Sequence, residues 1–140
     1  MKRVKLGVLV LVLVMMSGCF QKEVPKCSDD NVKNVLSEIY GNWSQNINNS
    51  DNPVLIMFKG AIPNSIVSFS SPRTLGFDKE IQLRTCKMDV TFDNNQSNTL
   101  QYTVQLDEED NENFYVEISE DSLESIAQES MMKHMMQGLH

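Results

Sequence analysis

The chain has 140 residues, with 12 lysines and arginines against 19 aspartates and glutamates, a net charge of −7 and a 41% hydrophobic fraction. That length leaves room for one ordinary domain with a modest core, not for several. The acidic balance excludes an electrostatic grip on nucleic acid, which needs clustered Lys and Arg.

Lys2, Arg3 and Lys5 open the chain and are followed by an apolar run over residues 6–16. The run is shorter than the ~20 residues needed to span a bilayer, and it suits the apolar core of a secretory signal peptide. Small Ser17 and Gly18 then lead into Cys19. Met16-Ser17-Gly18-Cys19 resembles the lipobox of bacterial lipoproteins, roughly Leu-(Ala/Ser)-(Gly/Ala)-Cys, with Met in place of the usual Leu. An ordinary signal peptide and an uncleaved anchor are the competing readings of the segment.

The resemblance implies cleavage before Cys19 and lipid attached to that cysteine. The next residue is Phe20, not Asp; by similarity to the sorting pattern of Gram-negative lipoproteins, this implies the outer membrane, and the domain is expected on its periplasmic side. The chain then divides into a signal peptide over 1–18, a lipidated tether over 19–26 and a single domain over 27–140, expected to be α+β from the patterning below. Beyond the leader the arrangement resembles small envelope lipoproteins and points to no named functional family.

Loss of the leader removes three cations, so nine Lys and Arg face nineteen acids, a net charge of −10. Such a surface gives no polybasic support for binding lipid head groups, which leaves anchoring to the acyl chains. It suits a basic envelope protein as partner, and is explained equally well as a device for solubility. With Cys19 assigned to lipid, Cys27 and Cys86 remain, and an isolated pair in an exported protein reads as a structural disulfide. Neither C-x-x-C spacing nor a local activator, the marks of redox or metal chemistry, accompanies them.

Ser28-Asp29-Asp30 predicts a helix start with Ser28 as cap. Val32, Val35, Leu36, Ile39, Tyr40 and Trp43 follow at helical spacing, one apolar face. Gly41 reads as a C-cap and residues 42–52, rich in Asn and Ser, as a loop. Pro53 and the apolar residues to Phe58 predict a short helix with Pro in its first turn, with a buried strand as the alternative for the unbroken apolar run. A short strand is expected over 65–70, then a loop through Pro72, Gly76 and Asp78.

From Cys86 to Phe92 the even positions are apolar, while Ile81 and Leu83 have the opposite parity, so a bulge or a strand start is expected near Arg84. Leu100, Tyr102, Val104 and Leu106 alternate with polar residues, as do Phe114, Val116 and Ile118. Joined by polar turns, these runs predict an antiparallel meander with one buried face that includes Cys86. Residues 119–122 supply caps for a last helix whose expected apolar face is Leu123, Ile126, Ala127, Met131 and Met135, interrupted by Ser130. The expected fold is therefore α+β: an N-terminal amphipathic helix on a three- or four-stranded antiparallel meander, plus a C-terminal helix.

Little in the chain speaks for catalysis. Both histidines, His134 and His140, lie in the last seven residues, and neither a phosphate loop nor an H-E-x-x-H metal motif is present. No cofactor is expected. Residues 107–112 (DEEDNE) offer oxygen ligands to a hard cation but lack EF-hand spacing, and read as a solvated turn. Met131, Met132, His134, Met135 and Met136 combine thioethers with an imidazole, a donor set suited to Cu(I); Met is equally common in cores and on adaptable binding surfaces. The leading expectation is a non-catalytic, lipid-anchored binding or interaction module. The alternatives are an inhibitor or immunity lipoprotein against a basic cell-wall hydrolase or toxin, and copper handling through the Met/His helix.

Overall fold

Alternating apolar residues in three runs and a longer, less regular fourth build one antiparallel sheet. The computed structural model describes residues 23–138, and the strands are β1 (Ile66–Asp78), β2 (Leu83–Phe92), β3 (Ser97–Leu106) and β4 (Phe114–Ile118), in the order β1-β2-β3-β4. Helix α1 (Asp30–Asn48) and the short α2 (Pro53–Ile56) precede the sheet, and α3 (Glu120–Gln137) follows it. The architecture is α+β, as the patterning predicts. Among the described residues no helix is long and apolar enough to cross a membrane.

On one face of the sheet Cys86, Met88, Val90, Phe92, Leu100, Tyr102 and Val104 are buried, and α1 covers them with Val32, Leu36 and Tyr40. The other face carries Thr85, Lys87, Asp89 and Thr91 of β2, in register with Thr103, Gln101, Thr99 and Ser97 of β3. There Asp89 accepts from Arg73 (3.1 Å) and Thr99 (2.9 Å), and the Arg73 hydrogen bond is the main reason its pKa is lowered.

The disulfide Cys27–Cys86 is formed, with Cα atoms 5.7 Å apart. It is the centre of a row across the sheet. Thr74 and Tyr102 lie opposite Cys86 on the two neighbouring strands. The Thr74 hydroxyl donates to the Cys27 sulfur (3.3 Å), which has no proton of its own. The Tyr102 hydroxyl donates to the Cys27 carbonyl (2.7 Å). Three strands therefore hold the start of α1, one of them covalently.

Four expectations are corrected. The cap of α1 is Asp29, not Ser28, and its side chain accepts from the Asn31 N–H. Gly41 does not end the helix, and residues 42–48 are helical rather than loop. The reason lies in tertiary hydrogen bonds, because the four-residue row Val32, Leu36, Tyr40 continues into polar Ser44 and Asn48. Tyr40 and Ser44 both donate to the Pro63 carbonyl (2.8 and 2.6 Å), while Asn48 donates to the Ile62 carbonyl (3.1 Å) and accepts from Gly60 (3.2 Å). Polar residues that look like a loop in sequence are the continuation of the buried face.

β1 likewise runs thirteen residues through Pro72 and Gly76, where a loop is expected. It does so with three register shifts against β2, one of them containing Ser71 and Pro72. Its apolar residues therefore never settle into the period that would mark a strand. The strand start expected near Arg84 is present, at Leu83. Finally, Val24, expected in a tether, is buried in the core; its N–H donates to Gln82 (3.2 Å), and Arg84 donates to the Pro25 carbonyl (3.2 Å).

Candidate functional site at the distal end of the sheet

The two ends of the sheet differ. Val24 and Pro25 pack where the β1–β2 and β3–β4 turns lie; at the other end stand the β2–β3 turn, residues 60–63 and the second half of α3. The β2–β3 turn is built by asparagines. The Asn94 side chain accepts from the Gln96 N–H (2.9 Å), and Asn95 takes a positive φ of 66°, which Asn tolerates better than most residues. This turn drives Gln96 inward until it is buried.

The start of α3 continues the pairing that β4 leaves off. Past Ile118, the Ser119 N–H donates to the Gln101 carbonyl and the Ser122 hydroxyl accepts from the Gln101 N–H, both at 2.9 Å. With its start so fixed, α3 buries Ser122, Ile126 and Ser130 against the sheet. This corrects the expected apolar face: Leu123, Ala127 and Met131 are half-buried and Met135 is exposed. Ser130 lies on the buried stripe instead of interrupting one, because its hydroxyl stands between the Ile126 carbonyl (2.7 Å) and the Gln96 side-chain oxygen (3.1 Å).

From there a polar chain runs outward. Gln96 donates to Asn98, and Asn98 donates to Glu129, each at 2.9 Å; Glu129 pairs with Lys133 at 3.4 Å. Above it opens a cleft of about 400 Å³, lined by Gly60, Ala61, residues 94–96, Ser130, Lys133, His134 and Gln137. That lining contains one lysine, Lys133, and no carboxylate. Sequence reasoning missed the cleft, since its parts come from three separate stretches and only His134 stood out.

Of the five residues singled out for copper, Met131 is half-buried, and His134 is exposed with its ring edge-on to Phe58, centroids 6.3 Å apart. Met132, Met135 and Met136, with Val54, Ile56 and Met57 around α2, are 52–73% exposed. The Phe58–His134 contact brings these two apolar segments to the same end of the molecule, beside the cleft. Cys19 and His140 lie outside the described residues.

The acidic run at the opposite end is engaged in its own turn. Asp107 accepts from the Glu109 N–H and the Tyr115 hydroxyl, both at 2.9 Å, and its pKa is lowered chiefly by the first of these. Asp110 accepts from the Glu112 N–H (3.0 Å) and the Asn113 side chain (2.9 Å). Among the described residues no group of three or more His, Cys, Asp or Glu side chains is placed to hold a metal ion. No family model, no curated protein and no solved structure matches the chain.

Proposed function

We propose that the chain is a lipid-anchored, non-catalytic binding module of the bacterial envelope, held through Cys19 on the periplasmic side of the outer membrane. The observation that carries this reading is the separation of the chain's start from the cleft. Val24 is already buried five residues after Cys19, a reach of ~17 Å at full extension. The ten-residue β2 leads from that end to the cleft end, a further ~33 Å. A lipid on Cys19 would hold the end with the acidic turn against the bilayer and leave the cleft and the exposed methionines facing away from it.

Site-specific photo-crosslinking in the native envelope tests the reading. A crosslinker at Gln137 is expected to capture one discrete protein, and one at Glu108 is not. Capture of only lipid and abundant porins from Gln137 would overturn it, as would a mature protein whose intact mass shows no acyl chain on Cys19.

A second reading, inhibition of a basic cell-wall hydrolase or toxin, is favoured by the cleft of about 250 Å³ whose lining includes Glu23, Asp29 and Glu112 beside Leu106 and Phe114. It predicts inhibition of lysozyme-type enzymes at low ionic strength, where charge steering is strongest. Full hydrolase activity in a molar excess of this protein at low salt would remove that reading.

A further inference from the structure

We infer that the cleft between α3 and the β2–β3 turn binds a small polar molecule through a carboxylate group. This rests on the reading of the domain as a binding module and names the ligand of that same site.

The first observation is charge. In a chain with 19 acids, two other clefts have carboxylates in their walls: Asp78 and Glu80 in one, Glu23, Asp29 and Glu112 in the other. The cleft at α3 has none, and its lining carries Lys133. An anion entering it meets a cation and no lining carboxylate. Glu129 holds Lys133 from outside the lining at 3.4 Å, which leaves donors of the three-donor ammonium for a ligand.

The second observation is the supply of hydrogen bonds. Asn95 and Gln137 make no side-chain hydrogen bond among the described residues, and Asn94 uses only its oxygen, toward Gln96. Three side-chain amides with donors to spare and an ammonium thus belong to the lining of one opening. Each amide is also able to accept, which suits a ligand with an amide N–H or hydroxyls beside its carboxylate. The floor is preorganised, because Gln96 and Ser130 are buried and bonded to each other, so little side-chain entropy remains to be lost beneath the ligand. A volume of about 400 Å³ lies in the range of small-molecule sites.

Such a carboxylate belongs equally to the end of a peptide or to an acidic amino sugar, and the test separates them. The lipidated protein in detergent micelles, labelled with ¹⁵N, is titrated with N-acetylalanine, N-acetylalanine methylamide, N-acetylmuramic acid and N-acetylglucosamine. At least one acid is expected to shift the side-chain amides of Asn94, Asn95 and Gln137 saturably, about tenfold more tightly than its neutral counterpart. Lys133→Met is expected to abolish that preference and Lys133→Arg to retain it, with both spectra otherwise native. Equal affinity for acid and neutral partner would overturn the inference, as would shifts confined to Glu23, Asp29 and Glu112, or no saturation at concentrations on the order of tens of millimolar. Failure here with a discrete protein still crosslinked at Gln137 removes the ligand and keeps the module; saturable binding with no crosslinked partner removes the envelope partner and keeps the ligand.

Discussion

The two long helices are nearly the same length and both begin on a side-chain cap, yet they face the sheet with opposite chemistry. α1 buries Val32, Leu36 and Tyr40 before it turns polar; α3 buries Ser122, Ile126 and Ser130, one apolar residue among three. α1 is held by a disulfide and by aromatic contacts, with Tyr40 and Phe92 ring centroids 4.8 Å apart. α3 is held by hydrogen bonds to Gln101 and Gln96, and its second half leaves Met132, Met135 and Met136 in solvent. The difference teaches that apolar burial and covalent linkage are spent on one helix, while the other is positioned by directional bonds and keeps its apolar side chains exposed. The first secures the fold. The second forms the candidate site.

The comparison yields graded expectations. Replacing Cys27 and Cys86 by serine opens a 59-residue separation and is expected to lower unfolding free energy by about 4 kcal/mol in the chain-entropy model, read by urea denaturation. Leu36→Ala, at a fully buried α1 position, should cost about 3 kcal/mol. An effect below 1 kcal/mol would mean that α1 is not the stabilising layer.

Alkaline titration probes the same side of the molecule. Burial pushes the Tyr102 hydroxyl from 10.0 up to about 12, and burial followed by the charge of Asp93 also raises Tyr40. Both hydroxyls donate to backbone carbonyls, so ionisation removes the donor. A raised folded-state value means that the stability is fully present below pH 10 and is lost as pH rises through 12, by about 2–3 kcal/mol for Tyr102 alone. Rapid pH-jump unfolding should show this loss, and Tyr102→Phe should lessen its slope.

The α3 side should respond less. Ser130→Ala is expected to cost about 1–2 kcal/mol by leaving the buried Gln96 oxygen without its donor. Changing Met132, Met135 and Met136 together to serine should shift each site by no more than about 0.5 kcal/mol, seen as an almost unchanged Tm. A large loss there would place those methionines in the packing and erase the contrast between the helices.

Much of the fold is legible in the sequence wherever one period dominates. The alternation in 86–92, 99–106 and 114–118 gives the three regular strands and the inward direction of Cys86, and reading Cys19 as a lipid site leaves Cys27 and Cys86 as the expected pair, which is the disulfide formed. What escaped was the buried face or the full extent of each element whose packing is polar or irregular. Ser44, Asn48 and Ser122 are buried or half-buried because backbone carbonyls and amides from distant segments meet them, and Ser130 because the Gln96 side chain does; no hydropathy pattern records that. β1 hid because its register shifts break the two-residue period. The cleft hid because Gly60, Asn95 and Lys133 become neighbours only through the packing of three elements.

The broken register of β1 has a consequence for behaviour at high protein concentration. A thirteen-residue strand at the border of a sheet presents unpaired backbone groups on which another chain's strand is able to add. Here Pro72 lacks an N–H, and the shifts at Ile66/Ser68, Ser70/Arg73 and Thr74/Gly76 interrupt the ladder, so no long, even row of donors and acceptors is offered. The opposite border, β4, is only five residues long. Molecules crowded together at high concentration would collide often at these borders, and the interruptions deny such collisions a template for aggregation.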